Sequence, residues 1–362
     1  MAQFYFCYSS QHEKSTELIY HVTYENAGGI NTYVSNLKSG CTKQHHIVEV
    51  ERGRESMAIN ALLKTESCNS SLVLHDPSFC RYLNGGTSKT IALVLHQDSN
   101  FYYDAIEEFG QLADAIICVS ENIKINISDR FQSKTISLGP SIVLSKRTSQ
   151  ACQKEERINL IFVAREDLNK GAQHLSSIDE TLIKHNLQPQ WTIVFGSRPE
   201  VVPSFRTWAL ENESRVKVLE NIPNHTITGL ISQHDALVLP SQTEGHPMVL
   251  IEALSRSVPP FSFYYSSHCE KHLPVDHENI VGPSNDPEEL AQRLISHHQR
   301  SRESLEQWQQ SAAYFIEKHH NPSVQAQKLE DFLASSPKRR KSPLRQKFFK
   351  WKRRALIRIG AW

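Results

Sequence analysis

Short runs that are apolar at nearly every position recur along this chain and alternate with helical patterns. Glu17 through Thr23, Ser71-Leu-Val-Leu-His75, Thr90 through His96 and Ala115-Ile-Ile-Cys-Val119 are the runs of the first half. Ile158 through Val163, Trp191 through Phe195, Val216 through Leu219 and Ala236 through Leu239 repeat the pattern in the second. A strand wetted on one face alternates polar and apolar residues, whereas a strand without a polar face has to be covered on both sides. The segments between the runs supply that cover. Ile30, Tyr33, Val34 and Leu37 fall at the spacing of one buried helical stripe. Stretches 102–111, 171–183, 247–255, 287–297 and 305–319 also read as helices. The expected fold class is therefore α/β, with doubly wound parallel sheets of the Rossmann-like kind.

Residues 141–157 (SIVLSKRTSQACQKEER) interrupt this pattern with polar sequence, after which it restarts. Two tandem domains are expected, 1–150 and 151–335, with a cleft between them. The length of 362 residues suits two domains at about 150 residues each. A tail extends from 336 to 362. It holds eleven Lys and Arg and no acidic residue, while the rest of the chain carries 29 basic and 39 acidic residues. An acidic body with a basic tail points to a polyanionic partner for the tail. The seven Cys are scattered and never form a C-x-x-C pair, so neither a disulfide framework nor a thiolate zinc site is expected. No signal peptide and no membrane span are expected, since the start lacks a basic segment and no apolar run approaches 18 residues.

In open α/β sheets ligands bind beyond the carboxyl ends of the strands, and four constellations lie there. Arg165 and Lys170-Gly171 come after the strand at 158–163, where two cations and a helix start suit phosphate; the alternative is a solvated loop. Glu244 and Glu252 frame Pro240-Ser-Gln-Thr-Glu-Gly-His-Pro247-Met-Val-Leu-Ile-Glu252, a strand end, a polar turn and a helix start that Pro247 suits as first-turn residue. Carboxylates there suit a polyhydroxylated ligand; the alternatives are a dipole-stabilised Glu244 and a solvated Glu252. Gly28-Gly29 sits between a strand and a helix, where backbone can approach a ligand closely or simply turn. His75 and His96 each end a strand. The chain has no D-x-D triplet in a suitable context, no H-E-x-x-H, no P-loop and no G-x-S-x-G elbow.

Together these motifs resemble the group 1 glycosyltransferases, the retaining, nucleotide-sugar-dependent family 4 with the two-domain GT-B fold. Glu244 and Glu252 match the family's E-x7-E motif, and Ile161-Phe-Val-Ala-Arg165 with Lys170-Gly171 resembles its strand, Arg and Lys-Gly. Ala236 to Ser241, Ala27-Gly-Gly-Ile30, Ala113 to Ser120 and the stretch from His277-Glu-Asn279 to Leu290 resemble further family segments. The resemblance spans roughly 17 to 330. It implies that Arg165 and Lys170 hold the donor diphosphate, that Gly29 and the N–H groups of Met248 and Val249 face phosphate or sugar, and that Glu252 bonds the ribose. It further implies that Glu244 and His96 contact the donor sugar as catalytic residues. After Glu252 the sequence departs from the family: Ser255 to His268 replaces its small pair and Gly-rich loop.

The resulting expectation is a retaining hexosyltransferase that uses a UDP- or GDP-sugar, needs no metal or other cofactor, and builds cell-surface polysaccharide or lipopolysaccharide. The alternatives are a nucleotide-sugar epimerase on the same scaffold and a non-catalytic membrane- or nucleic-acid-binding protein. In the tail, Leu344, Phe348, Trp351, Ala355, Ile359 and Trp362 form one helical stripe, flanked by Lys347, Lys350, Arg354 and Arg358. That pattern suits a helix lying in an anionic membrane interface, so no nucleic-acid partner is expected. The expected protein is thus a peripheral enzyme at the cytoplasmic face of the plasma membrane, acting on a lipid-linked glycan or saccharide acceptor.

Overall fold

The computed structural model describes residues 17–25, 27–65, 70–83, 87–143, 156–164, 168–196, 203–242, 244, 246–263 and 284–336. Arg165, the His277–Asn279 segment, most of the 141–157 linker and the whole 337–362 stretch, with Lys347, Phe348, Lys350, Trp351 and Arg354, lie outside them.

The first sheet is built from β1 (Leu18–Tyr24), α1 (Gly29–Ser39), β2 (Gln44–Val50), α2 (Glu55–Lys64), β3 (Ser70–Leu74), β4 (Thr90–Leu95), α3 (Asn100–Phe109), β5 (Ala115–Cys118), α4 (Glu121–Ile125), α5 (Asp129–Gln132) and β6 (Thr135–Ser137). Its order is β2-β1-β3-β4-β5-β6, and every pairing is parallel. β3, β4 and β5 are buried at every position, as their unbroken apolar sequences require. β2 and the short β6 are absent from the apolar runs, and β2 shows why. It is an edge strand with the polar sequence QHHIVEV, only partly covered, so no apolar run betrays it.

The second sheet is built from β7 (Arg157–Ala164), α6 (Leu175–Lys184), β8 (Gln188–Phe195), α7 (Pro203–Glu211), β9 (Val216–Glu220), α8 (Asn224–Ile231), β10 (Ala236–Leu239), α9 (Met248–Ser255), β11 (Pro260–Ser262), α10 (Pro287–His298) and α11 (Arg302–His319). Its order is β11-β10-β7-β8-β9, again wholly parallel, with the reversal of strand order between β7 and β10. Its core includes Trp191, Trp208, Phe162 and Phe261. Asp179 on α6 is fully buried among them. It accepts from the indole N–H of Trp191 at 2.8 Å and of Trp208 at 3.4 Å, and it pairs with the Arg215 guanidinium. One carboxylate thus ties α6 to β8, α7 and the start of β9.

The last helix, α12 (Pro322–Ser335), departs from the expected boundary at 335. It leaves the second domain and packs in the core of the first through Ala326, Leu329 and Leu333. Gly40, at the end of α1, is what admits it: a Cβ there would stand 2.1 Å from the Pro322 carbonyl carbon. Outgoing and returning crossings are bonded to each other. His320 Nδ1 lies 2.6 Å from Pro140 O, and the Ile142 N–H donates to His320 O at 2.9 Å. Among the described residues, no helix is long and apolar enough to cross a membrane.

Candidate active site

A cleft of about 480 Å³ lies between the two sheets, at the carboxyl ends of β4, β5, β7 and β10. The second sheet therefore offers its point of strand reversal, where open α/β sheets bind ligands. On that side β7 leads through Asn169 to Lys170, and β10 leads to Glu244, His246 and α9. Lys170 is held in place by Gly171. That residue has φ +82°, and a Cβ on it would fall 1.9 Å from Pro240 O, so only glycine lets the two strand-end loops touch. The contact brings the two motifs together. Lys170 Nζ donates to Glu244 Oε1 at 2.7 Å, with both side chains largely buried. The isolated solvated-loop reading of Lys170 does not survive this geometry.

Pro247 serves as the N-terminal cap of α9 rather than as its first helical residue. Leu250, Ile251, Ala253 and Leu254 anchor that short helix in the core, and its first turn, Met248 and Val249 included, lines the cleft, where first-turn N–H groups have no partner within the helix. Across the cleft stands the start of α1. A Cβ on Gly29 would lie 3.7 Å from Met248 Cγ, so the starts of the two helices come close together. Two N-termini and one lysine make the region attractive to an anion. Glu252 sits one turn further along α9. It is buried, not solvated, and it lies behind the lining residues rather than among them. Burial pushes its carboxyl up to about 7.

His96 comes directly after β4 and lines the cleft from the first domain, with Tyr33 edge-on to it at 5.3 Å. Its Nε2 lies 2.9 Å from His75 Nδ1, so His75 ends its strand in contact with another histidine rather than with the cleft. Sequence reasoning missed Asp98, Tyr102, Asn169 and His246, which also line the cleft. Asp98 had a signal, since it stands two residues beyond His96 at a strand end. Its carboxylate is fixed by Tyr103 Oη and Asn122 Nδ2, each at 2.7 Å. The one group of possible metal ligands among the described residues is Cys41, His45 and Glu330, remote from the cleft lining. Glu330 is already occupied by Thr42 and Lys43, and burial first, then the Glu330 charge, pushes the Cys41 thiol up to about 12.

Residues 146–315 match the family model of the glycosyl transferases group 1. No curated protein sequence matches the chain significantly. Solved structures are similar in fold. TarM of S. aureus, solved with fondaparinux, α-GlcNAc-glycerol and UDP, aligns with a TM-score of 0.66 at 14% identity over 78% of this chain, and this chain spans 58% of that one. The trehalose-6-phosphate synthase OtsA aligns at 0.69 and 11%, covering 89% and 100% of the two chains. HepE of Anabaena, solved with UDP and glucose, aligns at 0.69 and 11%, covering 88% and 100%. The match of residues 146–315 to a glycosyl transferase model favours a transferase over the epimerase and non-catalytic readings, and the solved neighbours share the fold.

Proposed function

We propose that this chain, a glycosyltransferase of the GT-B fold with a group 1 domain, moves a hexose from a nucleoside-diphosphate sugar to a glycan acceptor with retention. The single observation that carries the reading is the meeting of Lys170, Glu244 and the α9 N-terminus in the cleft, opposite Gly29 and His96. Glycosyl transfer builds positive charge on the sugar ring while negative charge grows on the departing diphosphate. Lys170 and the two helix N-termini act on that growing charge, so they favour the transition state over the bound substrate. Arg165 adds a second cation in this reading, and no metal is required. Lys170 and Glu244 bond to each other. A diphosphate takes over Lys170 and frees the Glu244 carboxylate to accept sugar hydroxyls. Glu252 accepts from the ribose, and His96 contacts the hexose from the other side of the cleft.

The donor is a UDP- or GDP-sugar; the structures of TarM and HepE were solved with UDP. The acceptor is lipid-linked and the product a cell-surface polysaccharide or lipopolysaccharide. The basic, aromatic stripe of 344–362 supports this, because each basic residue near an anionic surface adds about 1 kcal/mol of attraction. The enzyme then works as a peripheral protein at the cytoplasmic face of the membrane. Thermal shift against UDP, GDP, ADP and CMP tests the site. Ligand at about 100 times its Kd stabilises by about 2.7 kcal/mol, and Lys170→Ala should lose the response. No shift with any of the four nucleotides would overturn the proposal.

A further inference from the structure

Four strands adjacent in the first sheet, in the order β2-β1-β3-β4, carry one histidine each in a diagonal row: each histidine stands two residues further along than the register partner of the one before it, a step that keeps all four on one face. His45 lies in β2 and His21 in β1, while His75 and His96 come directly after β3 and β4. The side chains reach along this diagonal, with ring centroids 5.1, 5.3 and 5.2 Å apart from His45 to His96. Their nitrogens are joined end to end. His45 Nδ1 lies 2.9 Å from His21 Nε2, His21 Nδ1 3.0 Å from His75 Nε2, and His75 Nδ1 2.9 Å from His96 Nε2. At the far end, His45 Nε2 lies 3.2 Å from Glu330 Oε1 on α12, off the line of an ideal hydrogen bond. At the near end, His96 Nδ1 has no partner among the described residues, and His96 lines the cleft.

We propose that Glu330 sets the tautomer of all four histidines, so that His96 presents a bare, accepting Nδ1 to the cleft. The logic is sequential. A neutral imidazole has one N–H and one bare nitrogen. Glu330 accepts from the Thr42 hydroxyl and from the N–H groups of Thr42 and Lys43 at 3.1 Å. Burial alone would raise its carboxyl, but these bonds and His45 outweigh burial and hold it low. An ionised carboxylate only accepts, so His45 carries its proton on Nε2. His45 Nδ1 is then bare and takes the Nε2–H of His21. The same step repeats at His75 and at His96, giving four Nε2–H tautomers in one direction. Burial keeps the rings neutral, and the charges of Lys38 and Lys43 beside His21 and His45 act the same way. Tyr33 covers the chain with its ring edge and spends its hydroxyl on Leu138 O, so it offers the histidines no competing bond.

The consequence for function rests on the transferase reading. A bare Nδ1 accepts from a sugar hydroxyl and repels a phosphate oxygen, which also only accepts. His96 therefore selects the sugar end of the donor, and Glu330, His45, His21 and His75 are positioning residues for it. Two arms test this in the full-length chain. The first is ¹⁵N NMR of histidine-labelled protein, with His96 assigned from His96→Gln. The expected result is a neutral Nε2–H tautomer at His96. An Nδ1–H tautomer or an imidazolium there overturns the proposal, whatever the activity shows. The second is Glu330→Gln, whose amide both donates and accepts and so no longer imposes a direction. A mixture of tautomers at His96 is expected, with kcat/KM for the donor reduced about tenfold, the size of one hydrogen bond. Retention of a single Nε2–H tautomer in a folded Glu330→Gln protein overturns the proposal as well. If the chain used no nucleotide sugar, only the kinetic arm would fall silent, and the wild-type spectrum would still decide.

Discussion

Glu252 carries a cost in the folded protein that a single substitution should remove. The residue is 8% exposed, and burial raises its carboxyl from 4.5 to about 7. The sign comes from linkage. Below about pH 4.5 the group is protonated in both the folded and unfolded chain, and it costs nothing. Above about pH 7 it is ionised in both, and the folded state bears the full penalty. Each tenfold change in proton affinity is worth about 1.4 kcal/mol, so the penalty at pH 8 is roughly 3 kcal/mol. Glu252→Gln keeps the shape and removes the charge. Its Tm relative to wild type should therefore rise with pH between about 4.5 and 7 and level off above. For a domain of this size 1 kcal/mol shifts Tm by about 2–4 °C, so the gain at pH 8 should be several degrees. Differential scanning calorimetry at pH 5, 6, 7 and 8 reads it directly. The same variant should bind nucleotide more weakly, because an amide offers one acceptor where the carboxylate offers two. A Tm difference that does not change with pH would refute the reasoning, since it would mean that the Glu252 carboxylate is as well solvated in the folded protein as in the unfolded one.

Other consequences can be checked separately. Asp179→Ala leaves the Arg215 guanidinium and two indole N–H groups without their acceptor. Breaking a buried pair from one side costs about 3–5 kcal/mol, which urea denaturation monitored by Trp fluorescence should show. Leu329→Ala removes a side chain of α12 that is 1% exposed in the first domain's core. It should cost about 2–5 kcal/mol and raise hydrogen exchange along α12 before it affects the second sheet. Deleting residues 337–362 should abolish co-sedimentation with anionic liposomes while leaving the nucleotide-induced thermal shift intact; unchanged sedimentation would remove the membrane role of the tail.

The deeper half of the site was legible in the sequence because local signals carry it. β10 is apolar throughout and β7 is apolar from Leu160 to its end, and the residues just past the end of a buried parallel strand lie at the sheet's carboxyl edge. Lys170, Glu244, Met248 and Val249 could thus be placed without knowing the packing. Their pairing could not be, since the Lys170–Glu244 contact joins loops 74 residues apart through the close approach at Gly171. Glu252 was legible as a motif member but not as a buried acid, because a helical position shows its face only when its neighbours are known.

By itself the sequence determined the class of fold: two sets of two-sided apolar strands can be covered only by helices on both faces, whatever else the chain does. It also determined which residues leave the strand ends. Tertiary structure alone decided where α12 goes, since nothing in its own residues distinguishes one domain's core from the other's, and only the gap above Gly40 admits it. It alone decided the histidine ladder too. His21, His45, His75 and His96 are scattered over 76 positions, and His75 and His96 stand out in the sequence only as separate strand ends. Parallel strand order and a two-residue step from each strand to the next line them up on one face, and the returning helix ends the row on a carboxylate.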